Sequence, residues 1–464
     1  MLKNRRKDLH ARIARTIVEK FSALAESQPE VIARHWTEAG EVEPATSAWK
    51  KAGESAYSRR AFKETEENLR RALVMLNALP ETPVRDATEL EIASTLVQAL
   101  QLTGGYSAPE TVEVAARACA LAERSGSLAQ LILQTHGTWA ALLVSGEYRS
   151  AAALADQLLD LSQREGSQTS LGLAHYAQLV ARFYRGDLVG AEDHFERMSR
   201  FFQASGFKQF PGAIVICMGI ASVATWMMGY AERARARMVQ AIAFASDSKN
   251  PYDLAYGRYF ESALYWLLRE TTLAEAAATE ALALSEEHGF PLVASLARTI
   301  TGWARARPGS ADEAVSLIRC GIAGVTDAGG RVGISDLLTL LAETQALGGQ
   351  IEDALTTLEE ALRTNPQELV FRSNILKCRG DLRLQLGQTE LAEADFREAI
   401  ALAQGMSAKA RELRATTSLA RLLVKQGKRH EARAILAEIY GFFTEGLDTA
   451  DLKDAKIVLN ELQT

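Results

Sequence analysis

The stretch Gly387-Gln388-Thr389-Glu390-Leu391-Ala392-Glu393-Ala394-Asp395-Phe396-Arg397-Glu398-Ala399 sets a glycine, an alanine, an aromatic core residue and a second alanine at fixed spacing. The same string recurs as Gly186, Ala191, Phe195, Met198 and as Gly229, Ala234, Met238, Ala241. It returns as Gly309, Ala314, Ile318, Gly321 and as Gly349, Ala354, Leu358, Ala361. Gly427, Ala432, Leu436, Ile439 closes the series and Gly146, Ala151, Ala155, Leu158 opens it; a further copy, Ala274, Ala278, Ala281, has Arg269 in the glycine slot. From Ala151 onward the first alanines lie 40, 43, 40, 40, 40, 38 and 40 residues apart. Glycine discriminates: the chain has 32 in 464 positions, yet seven of these eight slots hold one. Composition does not supply such a period; a structural repeat does.

The physics of the string is that of a helix pair. Glycine sits where a first helix must end, because left-handed geometry at a helix C-terminus costs glycine least. The three residues that follow fall at i, i+4 and i+7, one stripe of a second helix. A 40-residue unit leaves room for two helices of roughly 17 residues, each about 25 Å long. Such a pair cannot bury its apolar face alone, so neighbours must stack. The expected fold is all-α: a right-handed superhelical solenoid of about ten antiparallel helix pairs. Its expected organisation is an N-terminal helix over 1–28, irregular repeats over 29–126, regular repeats over 127–447 and a capping helix over 448–464.

Composition agrees. Hydrophobic residues make up 47% and charged residues 24%, with only 10 prolines, a balance that favours helix. The net charge of −6 argues against a nucleic-acid partner held by phosphate contacts. The basic run Lys3, Arg5, Arg6, Lys7 reads as a solvated helix start. Cys119, Cys217, Cys320 and Cys378 form no C-x-x-C pair, which fits a reducing, cytoplasmic setting. The seven histidines are equally scattered, so no metal and no cofactor is expected.

Three segments invite a chemical reading. Gly329-Gly330-Arg331-Val332-Gly333 lacks the lysine of a phosphate loop and follows a helix, so it reads as an inter-repeat turn. Gln209 to Ala231 carries no charge, but it fills a first-helix slot and is broken by Pro211, Gly212 and Gly219; a helix buried inside the solenoid is preferred to a membrane span. Tyr252, Tyr256, Tyr259, Phe260, Tyr265 and Trp266 line one first helix, either as packing or as a peptide-binding wall. Carboxylates such as Glu66 and Glu67 stand beside Arg70 and Arg71, the pattern of solvated ion-pair faces rather than acid–base catalysis. No enzyme is expected.

Gly380, Ala392, Phe396 and Ala399, with Pro366 ending the preceding unit, resemble the tetratricopeptide consensus, and Trp49, Gly53, Leu69 and Ala72 resemble it again. In tetratricopeptide proteins first helices line the concave face. That register turns Asn374, Lys377 and Asp381 into the groove, followed in the next unit by Arg414, Thr417 and Arg421. Such a partly basic groove suits an acidic peptide or a carboxylate terminus; solvated polar residues are the alternative.

Two further stretches narrow the resemblance. Leu9-His10-Ala11-Arg12-Ile13-Ala14, followed by Gln28-Pro29-Glu30, Ala33 and His35-Trp36-Thr37-Glu38-Ala39-Gly40, resembles the junction after the ATPase module in bacterial multidomain proteins. These join a class III adenylate cyclase, an AAA-like or STAND-type ATPase and a tetratricopeptide tail. The segment from Tyr440 to Ala455 is similar to the end of that tail. The cyclase aspartates and the ATPase phosphate loop have no counterpart here. The resemblance therefore implies a non-catalytic docking or sensory tail, with a protein or peptide partner and a cyclase or ATPase module acting in trans. A small-ligand-sensing regulatory module is the competing expectation.

Overall fold

The computed structural model describes residues 2–105, 108–202 and 212–462; Gln209 to Pro211, the start of the uncharged segment, lie outside them. Among the described residues there are 24 helices and no strand. The chain divides into two compact units, Met1–Ala141 and Leu142–Thr464.

The first unit begins with α1 (Leu2–Lys20), α2 (Ser22–Ser27) and α3 (Pro29–Ala39). There follow α4 (Val42–Ser58) with α5 (Phe62–Leu76) and α6 (Pro83–Thr103) with α7 (Pro109–Ser125). Trp49, Leu69, Ala72, Ile92 and Leu96 are buried together as its core. α8 (Leu128–Val144) runs across the boundary in sequence.

The second unit continues with α9 (Tyr148–Glu165), then α10 (Gln168–Tyr184) with α11 (Leu188–Ser199), and α12 (Ala213–Met227) with α13 (Ala231–Ser248). Next come α14 (Pro251–Leu267) with α15 (Thr271–His288), α16 (Pro291–Arg305) with α17 (Ala311–Asp327), and α18 (Ile334–Leu347) with α19 (Ile351–Thr364). It ends with α20 (Leu369–Gln385) and α21 (Thr389–Gly405), α22 (Lys409–Lys425) and α23 (Arg429–Tyr440), and a last helix, α24 (Ala450–Glu461). From α4 to α23 the chain thus takes ten helix–turn–helix steps, as the period requires.

The repeat string is the buried stripe of the second helices. Its eight leading alanines, Ala151 to Ala432, are all at most 4% exposed. Phe396, Leu358, Leu436 and Ile318 beside them are fully buried; removing a side chain of this kind costs about 2–5 kcal/mol.

The glycine slot behaves as expected in six of the seven glycine-bearing copies. Gly146, Gly186, Gly229, Gly349, Gly387 and Gly427 have φ between 76° and 101°, and each closes its helix with the same backbone pattern. At Gly427, for example, the Gly427 amide donates to Val424 O and the Lys428 amide to Leu423 O. Arg269 takes the same left-handed turn at φ 63°, although a side chain there costs about 1–2 kcal/mol. Arg60 does likewise at φ 64°, marking an extra copy of the slot in the first unit. Gly309 is the exception. Pro308 has no amide to donate, and the Arg307 guanidinium caps the end of α16 by donating to Ala304 O and Ala306 O.

Gly427→Ala is expected to cost about 1–2 kcal/mol for conformational reasons alone, since the space around an added Cβ is open. Gly405→Ala, equally open but at an ordinary helical φ, is expected to be neutral or slightly stabilising. Thermal melting of the two variants checks the contrast.

α12 is buried on nearly every side, with only Ile216 partly exposed between Ala213 and Met227. It is an interior helix, and among the described residues no helix is long and apolar enough to cross a membrane.

Distant parts of the second unit also meet: α10 packs on α20, and α12 on α22. The Gly329–Gly333 turn takes part, for the Arg331 and Val332 amides both donate to Val144 O. Near it, buried Glu368 accepts from Tyr148 Oη, Ser335 Oγ and the Gly333 amide. The turn is thus structural, an anchor between residues nearly two hundred positions apart.

Candidate functional site

First helices of the second unit surround a cavity of about 820 Å³, walled by α14, α16, α18, α20, α22 and α24. Asn374, Lys377, Asp381, Arg414, Thr417 and Arg421 all line it. The register places them there for a simple reason. In each pair the outer helix consumes its alanine stripe in packing, and the inner helix turns residues three or four apart to the same side.

Their chemistry is less uniform than their position. Asn374 is 4% exposed, and among the described residues its amide makes no hydrogen bond. Lys377 pairs with Asp381 at 2.7 Å; burial alone would lower its ammonium, but the adjacent carboxylate holds it above the usual lysine range. Thr417 Oγ1 donates back to Leu413 O of its own helix, which leaves it little for a ligand. Arg414 Nε donates to Asp451 Oδ2 at 2.7 Å, and its Nη2 donates to Leu267 O. Arg421 is exposed and makes no ion pair among the described residues.

The groove, expected to be partly basic, carries acids as well as bases. Arg269, Lys377, Arg414, Arg421 and Lys425 are matched on the same wall by Glu343, Asp381, Asp451, Asp454 and Glu461. Three of these acids, Asp451, Asp454 and Glu461, come from α24. One, Glu343, comes from α18, where its Oε2 accepts from Trp303 Nε1 at 3.1 Å. The registers of α20 and α22 contain none of these four. Three of them lie in the segment after Asp448, expected only as a cap.

Trp266 and Trp303 give the cavity an aromatic edge, their ring centroids 6.4 Å apart. The rest of the aromatic run is packing: Tyr252 sits 5.0 Å from both Tyr256 and Phe290, and Tyr256 stacks on Phe260. Only Trp266 of that run reaches the cavity lining.

Behind the wall lies a second cation. Arg411 is 2% exposed, and among the described residues its three guanidinium nitrogens lack a hydrogen-bond partner. Its guanidinium stands 5.1 Å over the Trp226 ring, with that of Arg414 at 4.8 Å on the same ring. Burial, with Arg414 beside it, lowers Arg411 to about 10, so it stays charged at neutral pH. Nearby Asp336 has one buried oxygen without a hydrogen-bond partner among the described residues, and burial lifts its carboxyl to about 7. A second buried pair, His175 and His194, shares a contact of 3.0 Å between Nδ1 atoms. Burial lowers both rings, His194 to about 4, so at neutral pH they are uncharged packing groups. Among the described residues no three His, Cys, Asp or Glu side chains are placed to hold a metal.

The fold is a solenoid of tetratricopeptide-like helix pairs with an inner cavity, and comparisons agree with that fold. Residues 379–405 match the family model described as tetratricopeptide repeat. The fold is similar to that of a Rap protein crystallised with competence and sporulation factor, at a TM-score of 0.58 and 13% identity, over 79% of this chain and 99% of that one. It is also similar to the Cut9–Hcn1 hetero-tetramer of the APC/C, at a TM-score of 0.52 and 12% identity, over 98% of this chain and 87% of that one. In sequence the chain is 21% identical over 443 residues to an uncharacterized protein of Rhizobium meliloti (strain 1021), covering 92% of this chain. It spans only 42% of that relative's length.

Proposed function

We propose that the chain is a non-catalytic interaction scaffold whose second unit seats a segment of a partner protein in the cavity, as the cytoplasmic docking tail of a cyclase- or ATPase-linked signalling system. The observation that carries this reading is the convergence of Asn374, Arg421 and the two tryptophans on one cavity. An unpartnered amide suits a peptide backbone, Arg421 suits an acidic group, and the indoles suit an apolar side chain. A solenoid solved with competence and sporulation factor bound gives this architecture a precedent for holding a second molecule. The link to a cyclase or ATPase is supported by the resemblance of the segments around Leu9–Gly40 and Tyr440–Ala455.

Arg421→Glu and Asn374→Ala are the informative variants. Reversing Lys377 or Arg414 would strand Asp381 or Asp451 and confuse lost binding with lost packing. Proteins captured by the wild type are expected to include one with a cyclase or ATPase module, and to fall at least about tenfold with the double variant, a loss of about 1.4 kcal/mol. Capture that the double variant leaves unchanged would move the site elsewhere. A small-ligand sensor is the second reading, favoured by the volume, which lies within the roughly 300–1,000 Å³ typical of small-molecule sites. A metabolite that raises the melting temperature of the wild type but not of the double variant would select it.

A further inference from the structure

The wall formed by α24 is held in place by its own clasp. Ahead of α24, Phe442 and Phe443 press on Gly229, where an added Cβ would lie 3.0 Å from each ring. Lys409 Nζ stands over the Phe442 ring at 5.5 Å. Glu445 Oε1 accepts from the amides of Glu232 and Arg233 at the start of α13, at 3.0 and 3.2 Å. A carboxylate there meets both unpaired amides and the positive end of the helix dipole. In return the Gly446 amide donates to Glu232 Oε1. Beyond this loop Asp454 pairs with Arg269 at 2.7 Å, and Asp451 bridges Arg269 at 3.5 Å and Arg414 at 2.7 Å.

Two observations set Asp451 apart from an ordinary surface ion pair. Arg414 and Asp451 are only 14% and 13% exposed, and buried Arg411, which has no hydrogen-bond partner among the described residues, adds a further positive charge beside Arg414. Arg269 keeps a left-handed turn at which six sister copies carry glycine. At this copy the arginine side chain reaches α24 through Asp451 and Asp454.

We propose that Asp451 is an internal stand-in for an acidic ligand. It occupies Arg414, and a ligand carboxylate or phosphate that pairs with Arg414 must displace it and thereby release the clasp from Gly441 to Asp454. This inference rests on the reading that the cavity binds a ligand, and it adds the ligand's chemistry and its control. Clasp and ligand compete for one cation, so by reciprocity anything that loosens the clasp tightens anion binding by the same factor.

The test uses the full chain with citrate and pyrophosphate as probes, titrated against chloride at matched ionic strength. Binding is followed by calorimetry, and clasp opening by hydrogen exchange over residues 441–454. Wild type is expected to bind one of the two anions and to exchange faster at the clasp when it does; citrate or pyrophosphate then identifies the carboxylate or phosphate class. Asp451→Asn is expected to bind that anion roughly tenfold more tightly. Glu445→Gln, which lies outside the cavity, is expected to tighten it as well, an effect that a purely local role for Asp451 does not produce. Anion affinity unchanged in both folded variants, slower exchange on adding the anion, or no anion binding to any form would overturn the proposal. Should that occur while Arg421→Glu with Asn374→Ala still abolishes partner capture, the stand-in fails and the cavity reading survives.

Discussion

Replacing Gly321 by leucine is expected to destabilise the second unit by at least about 3 kcal/mol and to deform the cavity edge. Gly321 lies in α17 where that helix crosses α16. A Cβ at this position would stand 2.7 Å from Ser295 O and 3.1 Å from the Thr299 amide nitrogen. Those are backbone atoms of the facing helix and cannot swing aside. Gly302 makes the reciprocal approach from α16, its added Cβ lying 3.0 Å from Ala314 O and 2.7 Å from the Ile318 side chain. The helices therefore touch main chain to main chain. Two effects oppose each other on substitution. Any residue other than glycine gains up to about 1 kcal/mol of helix propensity, whereas overpacking a close contact costs about 1–3 kcal/mol for a few added carbons. For alanine the terms nearly balance, with a net loss expected because backbone is the obstacle. For leucine the steric cost wins clearly. The displaced α16 carries Trp303, so the indole edge of the cavity moves with it. Thermal melting should show a drop of several degrees, and hydrogen exchange should localise the loss to α16 and α17, since repeats are coupled mainly to their neighbours. A leucine variant that melts with the wild type would mean that the two helices stand farther apart than described.

The same string that contains Gly321 shows how far the sequence carries. Its alanines and core residues predict the buried stripe because packing inside a helix pair is local, and local packing leaves a period. Positions Asn374 to Arg421 could be assigned to one wall for the same reason, since a known register on α20 or α22 fixes which residues share a face. Where the local rule has a competitor, the reading slips. Pro308 and the capping guanidinium of Arg307 replace the glycine turn at Gly309. Arg269 and Arg60 take the left-handed turn without glycine. The charge of the cavity was illegible for a different reason. Asp451 meets Arg269 only because α24 comes back to the end of α14, and a contact between residues 182 positions apart leaves no periodic trace.

Those long-range contacts are also where the second large effect is expected: Glu368→Ala should cost about 3–5 kcal/mol. Glu368 is 1% exposed and stands at the start of α20. One oxygen accepts from Tyr148 Oη and from the Gly333 amide at 2.7 Å, and the other accepts from Ser335 Oγ. It thus ties the first turn of α9 to the turn before α18 and to α20. Alanine removes the only charge in this group but leaves its donors in place, and each buried donor without an acceptor costs about 1–3 kcal/mol. Loss of tertiary pinning near Tyr148, which is 2% exposed, adds to this. Glu368→Gln keeps one acceptor oxygen and should lose less. Its pH behaviour separates charge from shape. Burial raises the Glu368 carboxyl above its usual range despite the donors that pull it back. The folded chain therefore holds this proton at pH values where the unfolded chain has released it. Stability from Glu368 then grows as pH falls through the folded value towards 4.5, and weakens as pH rises and the buried carboxyl ionises. Glutamine has no such titration, so wild type should exceed the Gln variant by more at pH 5 than at pH 8. Melting of the three forms at both pH values, with exchange of the Gly333 amide as the local reporter, decides the matter. A Gln variant that trails the wild type equally at both values would show that Glu368 is held there by shape alone.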